Sequence, residues 1–139
     1  MEIARSESNR IAPMSEITMI TGLRSSIGAG AWVAPRLAGR LFGLDADANP
    51  QLPYVGRLFG VRDVALAAGL HRSSGQSRRL WLQLGLLCDA ADTIAGLLAG
   101  RKGEISKTTT VLVTAPAVLG IALGVAALRG EQDDATPSD

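Results

Sequence analysis

Charged residues in the middle of long apolar segments constrain the fold of this chain more than any other feature. The chain contains four apolar segments of about the length that crosses a bilayer: residues 17–33, 55–70, 80–100 and 111–128. Five charged residues lie near the centres of the first three segments: Arg24, Arg62, Asp63, Asp89 and Asp92. A charge at bilayer mid-depth costs roughly 2.5 to 3.5 kcal/mol, so we expect these side chains to pair inside a helical bundle or to line a functional cavity.

The segment pattern predicts an all-α fold, a four-helix transmembrane bundle. The transmembrane domain occupies residues 16–129, between a disordered N-terminal tail at 1–15 and an acidic disordered tail at 130–139. Four spans with short connections use nearly the whole chain and leave no room for a separate soluble domain. Lys and Arg residues divide almost evenly between the two faces, so the sequence favours neither orientation. We predict a multi-pass protein of a bacterial cell membrane.

The connection between the first two segments carries two local patterns. Leu37 and Leu41 have the spacing of a short helix that lies in the membrane interface. Asp45 and Asp47 resemble the start of a calcium-binding loop, but Pro50 occupies the position where that loop requires glycine. Turn and capping roles therefore explain these aspartates better than metal binding does.

Composition excludes several classes of function. A net charge of +1 with scattered Lys and Arg offers no basic face for nucleic acid. Cys88 is the only cysteine, so the chain forms neither an internal disulfide nor a cysteine-based metal site. His71 is the only histidine, and no nearby nucleophile completes a catalytic triad with it. We predict no metal site and no catalytic residue of these kinds, and the sequence indicates no particular cofactor.

The third segment is marginal as an isolated span. Its strongly apolar residues contribute roughly −4 kcal/mol to insertion, whereas Asp89 and Asp92 together oppose insertion by roughly 6 kcal/mol. We therefore expect the second and third segments to insert together, with Arg62 neutralising the carboxylates and Arg57 as a further candidate partner. Asp89 pairs with either Arg62 or Arg24 in this interpretation.

Small residues recur at helical spacing in every segment. In the third segment, Asp89 and Asp92 fall on one stripe with glycines, so we expect both carboxylates to face protein instead of lipid. Such stripes let helices approach closely within a bilayer. The predicted packing glycines are Gly56, Gly60, Gly85, Gly96, Gly120 and Gly124, with a similar row of Gly22, Ser26 and Gly30 in the first segment.

The charges at mid-depth do not balance. Two guanidinium groups face three carboxylates, which leaves one carboxylate in excess unless Arg57 reaches in from the membrane edge. The count predicts that one aspartate carries a proton, as a proton-transfer site requires. The alternative is a buried ion network that only fixes the register of the helices.

Three stretches of the chain resemble a known group of proteins. These are residues 34–36 (Ala-Pro-Arg), 56–63 (Gly-Arg-Leu-Phe-Gly-Val-Arg-Asp) and 88–92 (Cys-Asp-Ala-Ala-Asp). The region 22–128 resembles a family of small, uncharacterised four-helix membrane proteins of bacteria and fungi, and more distantly the DoxX-type membrane proteins. The resemblance implies an α-helical membrane protein and carries over no established activity. The chain departs from the family by placing Arg24 within its first segment.

Three interpretations remain open from the sequence. The first is an accessory or assembly protein of the lipid bilayer, with a structural ion network and a second copy or another membrane protein as its partner. The second is a membrane-embedded enzyme or proton-linked small-molecule carrier in which Asp63, Asp89 and Asp92 handle protons and Arg62 binds an anion or carboxylate. The third is a soluble helical bundle. An open cavity at Asp89 and Asp92 favours the second, and a sealed cluster favours the first.

Overall fold

The computed structural model describes the backbone of residues 3–135 and the side chains of residues 16–132. This part of the chain is entirely helical and contains no strand, which confirms the predicted all-α class. It has five helices instead of the four expected: α1 (Ile3–Val33), α2 (Pro35–Leu41), α3 (Leu52–Arg72), α4 (Gly75–Lys102) and α5 (Lys107–Ala135). The four apolar segments lie one each in α1, α3, α4 and α5, and the short α2 forms where Leu37 and Leu41 predict an interfacial helix.

The predicted tails lie largely beyond the side chains that the structure describes. Helix α1 is already helical from Ile3, and α5 continues as helix to Ala135. The side chains of residues 3–15 and 133–135, and all of residues 1–2 and 136–139, are outside the described part. The disorder of both tails therefore stays a prediction.

Proline and glycine determine where the helices begin and end. Pro35 opens α2, where its missing N–H leaves no hydrogen bond unmade. Gly103 ends α4 in the left-handed region at a φ of 72°. The N–H of Glu104 then donates to the carbonyl of Ala99 at 2.9 Å, which satisfies one of the last carbonyl groups of the helix.

The four long helices pack in the order α1, α3, α4, α5 around a ring. Helix α1 packs chiefly on α3, α4 packs chiefly on α5, and the ring closes through α3 with α4 and α1 with α5. Among the described residues, no Cα atom of α1 lies within 8 Å of one in α4, and the same holds for α3 and α5. The diagonal pairs are therefore separated, which leaves space at the centre of the ring.

Glycines bring the neighbouring helices together. A Cβ atom at Gly60 of α3 would lie 2.5 Å from the carbonyl oxygen of Gly28 in α1, so only glycine fits this crossing without a shift. Gly96 and Gly124 approach Thr114 and Leu86 across the contact of α4 with α5. In these positions the predicted glycines do face another helix.

The row predicted for α1 is wrong. A Cβ atom at Gly22 or Gly30 would meet nothing within 4 Å, whereas Gly28, which was not in that row, contacts α3. Gly28 and Gly60 meet because α1 turns the face carrying Ile20, Arg24 and Gly28 inward, and all three are buried.

The distribution of apolar residues is opposite to that of a typical soluble bundle. The buried apolar positions are mostly alanines with a few leucines and one isoleucine, while large apolar side chains are widely exposed on α3, α4 and α5. The segments Gly75–Lys102 and Lys107–Gln132 are long and apolar enough to cross a membrane. Helix α3 does not reach this standard, because Arg57, Arg62 and Asp63 lie close together in it.

Candidate functional site

The first half of the candidate site is an ion network centred on Arg24 of α1. Its Nη2 atom donates to Asp89 Oδ2 of α4 at 2.6 Å and to the carbonyl oxygen of Gly85 at 3.2 Å. Its Nη1 atom lies 3.4 Å from Asp63 Oδ1 of α3. Arg24, Asp63 and Asp89 are all buried. The arginine therefore crosses the α1–α4 diagonal, where the two backbones do not approach each other.

The second half joins α3 to α4. Arg62 donates two hydrogen bonds to the carboxylate of Asp92, at 2.9 Å from Nη1 and 2.6 Å from Nη2, in the bidentate geometry favoured by guanidinium and carboxylate. Nη2 of Arg62 also donates to Asp63 Oδ1 at 3.2 Å. The guanidinium lies 4.3 Å from the centre of the Phe59 ring. Asp63 Oδ1 is thus shared by both arginines and joins the two halves into one network.

The ion-pair partners of Asp89 and Asp92 differ in part from those that the sequence favoured. The sequence favoured Arg62 and Arg57 as the groups that neutralise Asp89 and Asp92, with Arg24 as the alternative partner of Asp89. In the structure Asp89 pairs with Arg24, whereas Arg62 pairs with Asp92 and with Asp63. Arg57 is exposed and forms no ion pair with the residues that the structure describes, so it stands outside the network.

Two of the predicted packing glycines make room for the network itself. A Cβ atom at Gly120 of α5 would collide with the carboxylate of Asp89, with Cγ only 2.9 Å away. A Cβ atom at Gly85 would lie 3.0 Å from Nη2 of Arg24. The sequence spacing indicated helix packing for these glycines, but it did not indicate that they enclose an ion pair.

A cavity of about 300 Å³ adjoins the network. Arg24, Asp63, Asp89 and Asp92 all line it, and the rest of its wall is apolar. The apolar wall is built from all five helices and extends to α2 and to the start of α3. Arg62 is not among the residues that line the cavity. The carboxylates predicted at mid-depth are therefore open to a cavity.

Two carboxylate oxygen atoms in this wall remain free. Among the described residues, Asp63 Oδ2 and Asp89 Oδ1 accept no hydrogen bond, because the bonds to these side chains go to Asp63 Oδ1 and Asp89 Oδ2. Arg62 Nε is also buried without a hydrogen-bond partner. The network thus has unused acceptors on two residues that line the cavity.

The motif in the α2–α3 connection has a local role. Asp45 Oδ1 accepts hydrogen bonds from the N–H groups of Asp47 and Ala48, at 3.0 and 2.9 Å. These two bonds lower the pKa of the exposed Asp45 carboxyl group. Within the described part of the chain, no three His, Cys, Asp or Glu side chains are grouped so as to hold a metal ion.

Comparison with known proteins adds no relative to this description. The chain matches no protein-family model, no curated protein and no solved structure. The function of this chain is therefore inferred from its site.

Proposed function

We propose that this chain is an integral membrane protein in which α1, α3, α4 and α5 cross the bilayer, and that its central cavity binds a small molecule within the membrane. Helix α2 then lies at the interface, as its short length and its exposed Leu37 and Arg40 favour. The arrangement of the four long helices in a ring supports a closed bundle with its charges at the centre.

Exposure of large apolar side chains supports the membrane location. Leu87 is 67% exposed and Val111 is 63% exposed, whereas Arg24 and Asp89 are only 7% and 5% exposed. A soluble bundle buries its large apolar residues and exposes its charges, and large apolar surfaces on soluble chains promote aggregation. In their most apolar stretches only 22% of α4 and 28% of α5 is buried, far less than in the core helix of a soluble domain. The soluble interpretation is therefore disfavoured.

The cavity is the observation that supports a binding role. A purely structural ion network needs no open space beside it, and exposing its charged groups to a cavity weakens the exclusion of water from the pairs. Here four charged side chains from three helices form one wall of a space of about 300 Å³, a volume in the range of small-molecule sites. Polar groups placed in an otherwise apolar pocket are the arrangement that orients a bound molecule.

The proposal includes membership in the family of small four-helix membrane proteins that the sequence resembles. The stretches that carry the resemblance include Arg62, Asp63, Asp89 and Asp92, which are members of the network.

A second candidate function is a scaffold or assembly role. It is supported by the pairing within the network, since Arg24 and Arg62 each have a close carboxylate partner. Under this alternative the exposed apolar faces bind a second copy or another membrane protein, and the cavity contains only lipid or water.

Native mass spectrometry of the protein released from nanodiscs tests the binding role. The buried Ala117 lines the cavity, so Ala117→Leu should fill part of it. The exposed Ala122 lies on the same helix and does not line the cavity, so Ala122→Leu is the matched control. We expect a small-molecule adduct on the wild type and on Ala122→Leu that is lost from Ala117→Leu. Identical spectra for all three proteins would contradict the binding role and favour the scaffold.

A further inference from the structure

We infer that the molecule bound in the central cavity is a small hydrophobic monocation, an amine with an apolar body. This inference rests on the proposed binding role and names the chemical class of the ligand. It follows from the charge of the cavity wall, from its free hydrogen-bond acceptors and from the shape of its apolar part.

The charge of the wall favours a cation. Among the residues that line the cavity, one guanidinium, Arg24, faces three carboxylates. Arg62 is not part of the lining, and it donates two hydrogen bonds to Asp92 and one to Asp63. The complete network of Arg24, Arg62, Asp63, Asp89 and Asp92 therefore has a formal charge of −1. A single positive charge on the ligand balances it, and in an apolar environment an uncompensated charge is costly.

The free acceptors fit an ammonium group. Asp63 Oδ2 and Asp89 Oδ1 accept no hydrogen bond from the described residues, although both side chains are buried and line the cavity. An ammonium group has three N–H donors and no acceptor, so it satisfies carboxylate oxygens that an anionic head group would repel.

The remaining wall fits an apolar body. Away from the network, the lining comes from apolar side chains such as Ala38, Phe42 and Leu52, where α2 meets the start of α3. Between the network and this region the cavity has no further charged residue in its lining. A ligand with its head group at Asp63 and Asp89 therefore places its tail toward α2.

Equilibrium binding of radiolabelled octylamine to the protein in zwitterionic nanodiscs tests the inference, with empty nanodiscs subtracted. Octan-1-ol and octanoate serve as competitors, since they have the same chain with a neutral or an anionic head. We expect saturable binding of octylamine, displacement by octan-1-ol about tenfold weaker than by unlabelled octylamine, and no displacement by octanoate.

Contrary results of this experiment bear differently on the cationic assignment and on the proposed binding role. Displacement by octan-1-ol as strong as that by octylamine would overturn the cationic assignment and leave the binding role standing, as would be expected if one aspartate carries a proton and the network is neutral. Stronger displacement by octanoate would also overturn it. Absence of saturable octylamine binding would overturn the inference, while the proposed function would still be tested by the comparison of Ala117→Leu with Ala122→Leu.

A pair of variants tests which carboxylate causes the preference for octylamine over octan-1-ol. Asp63→Asn removes the excess charge with little change of volume, and we expect the preference for octylamine over octan-1-ol to disappear. Asp45→Asn removes a carboxylate that lies in the α2–α3 connection and does not line the cavity, and it should leave the preference unchanged. A full preference in folded Asp63→Asn would overturn the assignment. If Asp63→Asn does not fold, the comparison of octylamine, octan-1-ol and octanoate on the wild type still tests the cationic assignment.

Discussion

At the scale of single residues, Arg24 determines how the centre of the molecule is built. Its side chain crosses a diagonal that the backbones of α1 and α4 leave open, and it binds Asp89 at 2.6 Å. A long side chain with several donors suits this position, because it reaches two carboxylates and a carbonyl group at once. The same separation of helices that requires the long side chain also produces the cavity beside it.

Removing one partner of this pair should destabilise the protein strongly. Asp89→Leu leaves Arg24 with the longer contact to Asp63 and the hydrogen bond to the Gly85 carbonyl, and Arg24→Leu leaves Asp89 unpaired. We expect each substitution to lower the free energy of unfolding by about 3 to 5 kcal/mol, because each leaves a buried charged group without its closest ion-pair partner. The double variant should recover part of the loss, as measured by denaturation in mixed micelles.

A second pair of substitutions serves as the control for Arg24 and Asp89. Arg62 and Asp89 share no ion pair among the described contacts, so the effects of Arg62→Leu and Asp89→Leu should come closer to adding. Simple additivity for Arg24 with Asp89 would show that the proposed bridge between α1 and α4 is wrong.

At the scale of helices, the sequence predicts the segments well and their partners poorly. Apolar runs locate α1, α3, α4 and α5, and Pro35 and Gly103 account for two helix boundaries. The need of Asp89 and Asp92 for arginine partners also follows from the cost of burying a charge. Which arginine serves which aspartate depends on the order of the helices around the ring. Segment length and hydropathy do not contain that order, so they could not decide between Arg24 and Arg62 as the partner of Asp89, or between a sealed cluster and a cavity.

The crossing of α1 with α3 gives a prediction about packing. Gly60→Ala places a Cβ atom against the backbone oxygen of Gly28, and a backbone atom cannot move aside as a flexible side chain can. We expect a loss of about 1 to 3 kcal/mol, measured as thermal or denaturant unfolding in detergent.

A second glycine of the same pair of helices provides the matched control. Gly30 is exposed, and a Cβ atom there meets nothing within 4 Å, so Gly30→Ala should be neutral or stabilise the helix by up to about 1 kcal/mol. Equal losses in both variants would mean that α1 and α3 do not cross at Gly28 and Gly60.

At the scale of the whole molecule, burial of charge and exposure of large apolar residues have one common explanation in a membrane. Between helices in lipid there is no hydrophobic driving force, so close glycine contacts and polar pairs hold them together. In the proposed membrane arrangement, the exposed Leu87 and Val111 contact acyl chains, and the small residues lie between helices. Among the residues with described side chains, 16–132, only α4 and α5 are apolar enough to be spans by themselves. The proposed crossing of α1 and α3 therefore depends on their charges being paired with α4.

The number of spans can be counted from the sides on which the connecting loops lie. Four spans place the α2–α3 loop and the α4–α5 loop on one side, and the α3–α4 loop on the other. If only α4 and α5 cross, the α2–α3 and α3–α4 loops share a side.

Single cysteines at the exposed positions Ala48, Ser74 and Glu104, introduced in a Cys88→Ala background, report these sides through labelling by a membrane-impermeant maleimide in sealed vesicles. We expect Ala48→Cys and Glu104→Cys to be labelled from one side and Ser74→Cys from the other. Labelling of Ala48→Cys and Ser74→Cys from the same side would contradict the four-span arrangement, because it would leave α3, with its Arg62 and Asp63, outside the bilayer.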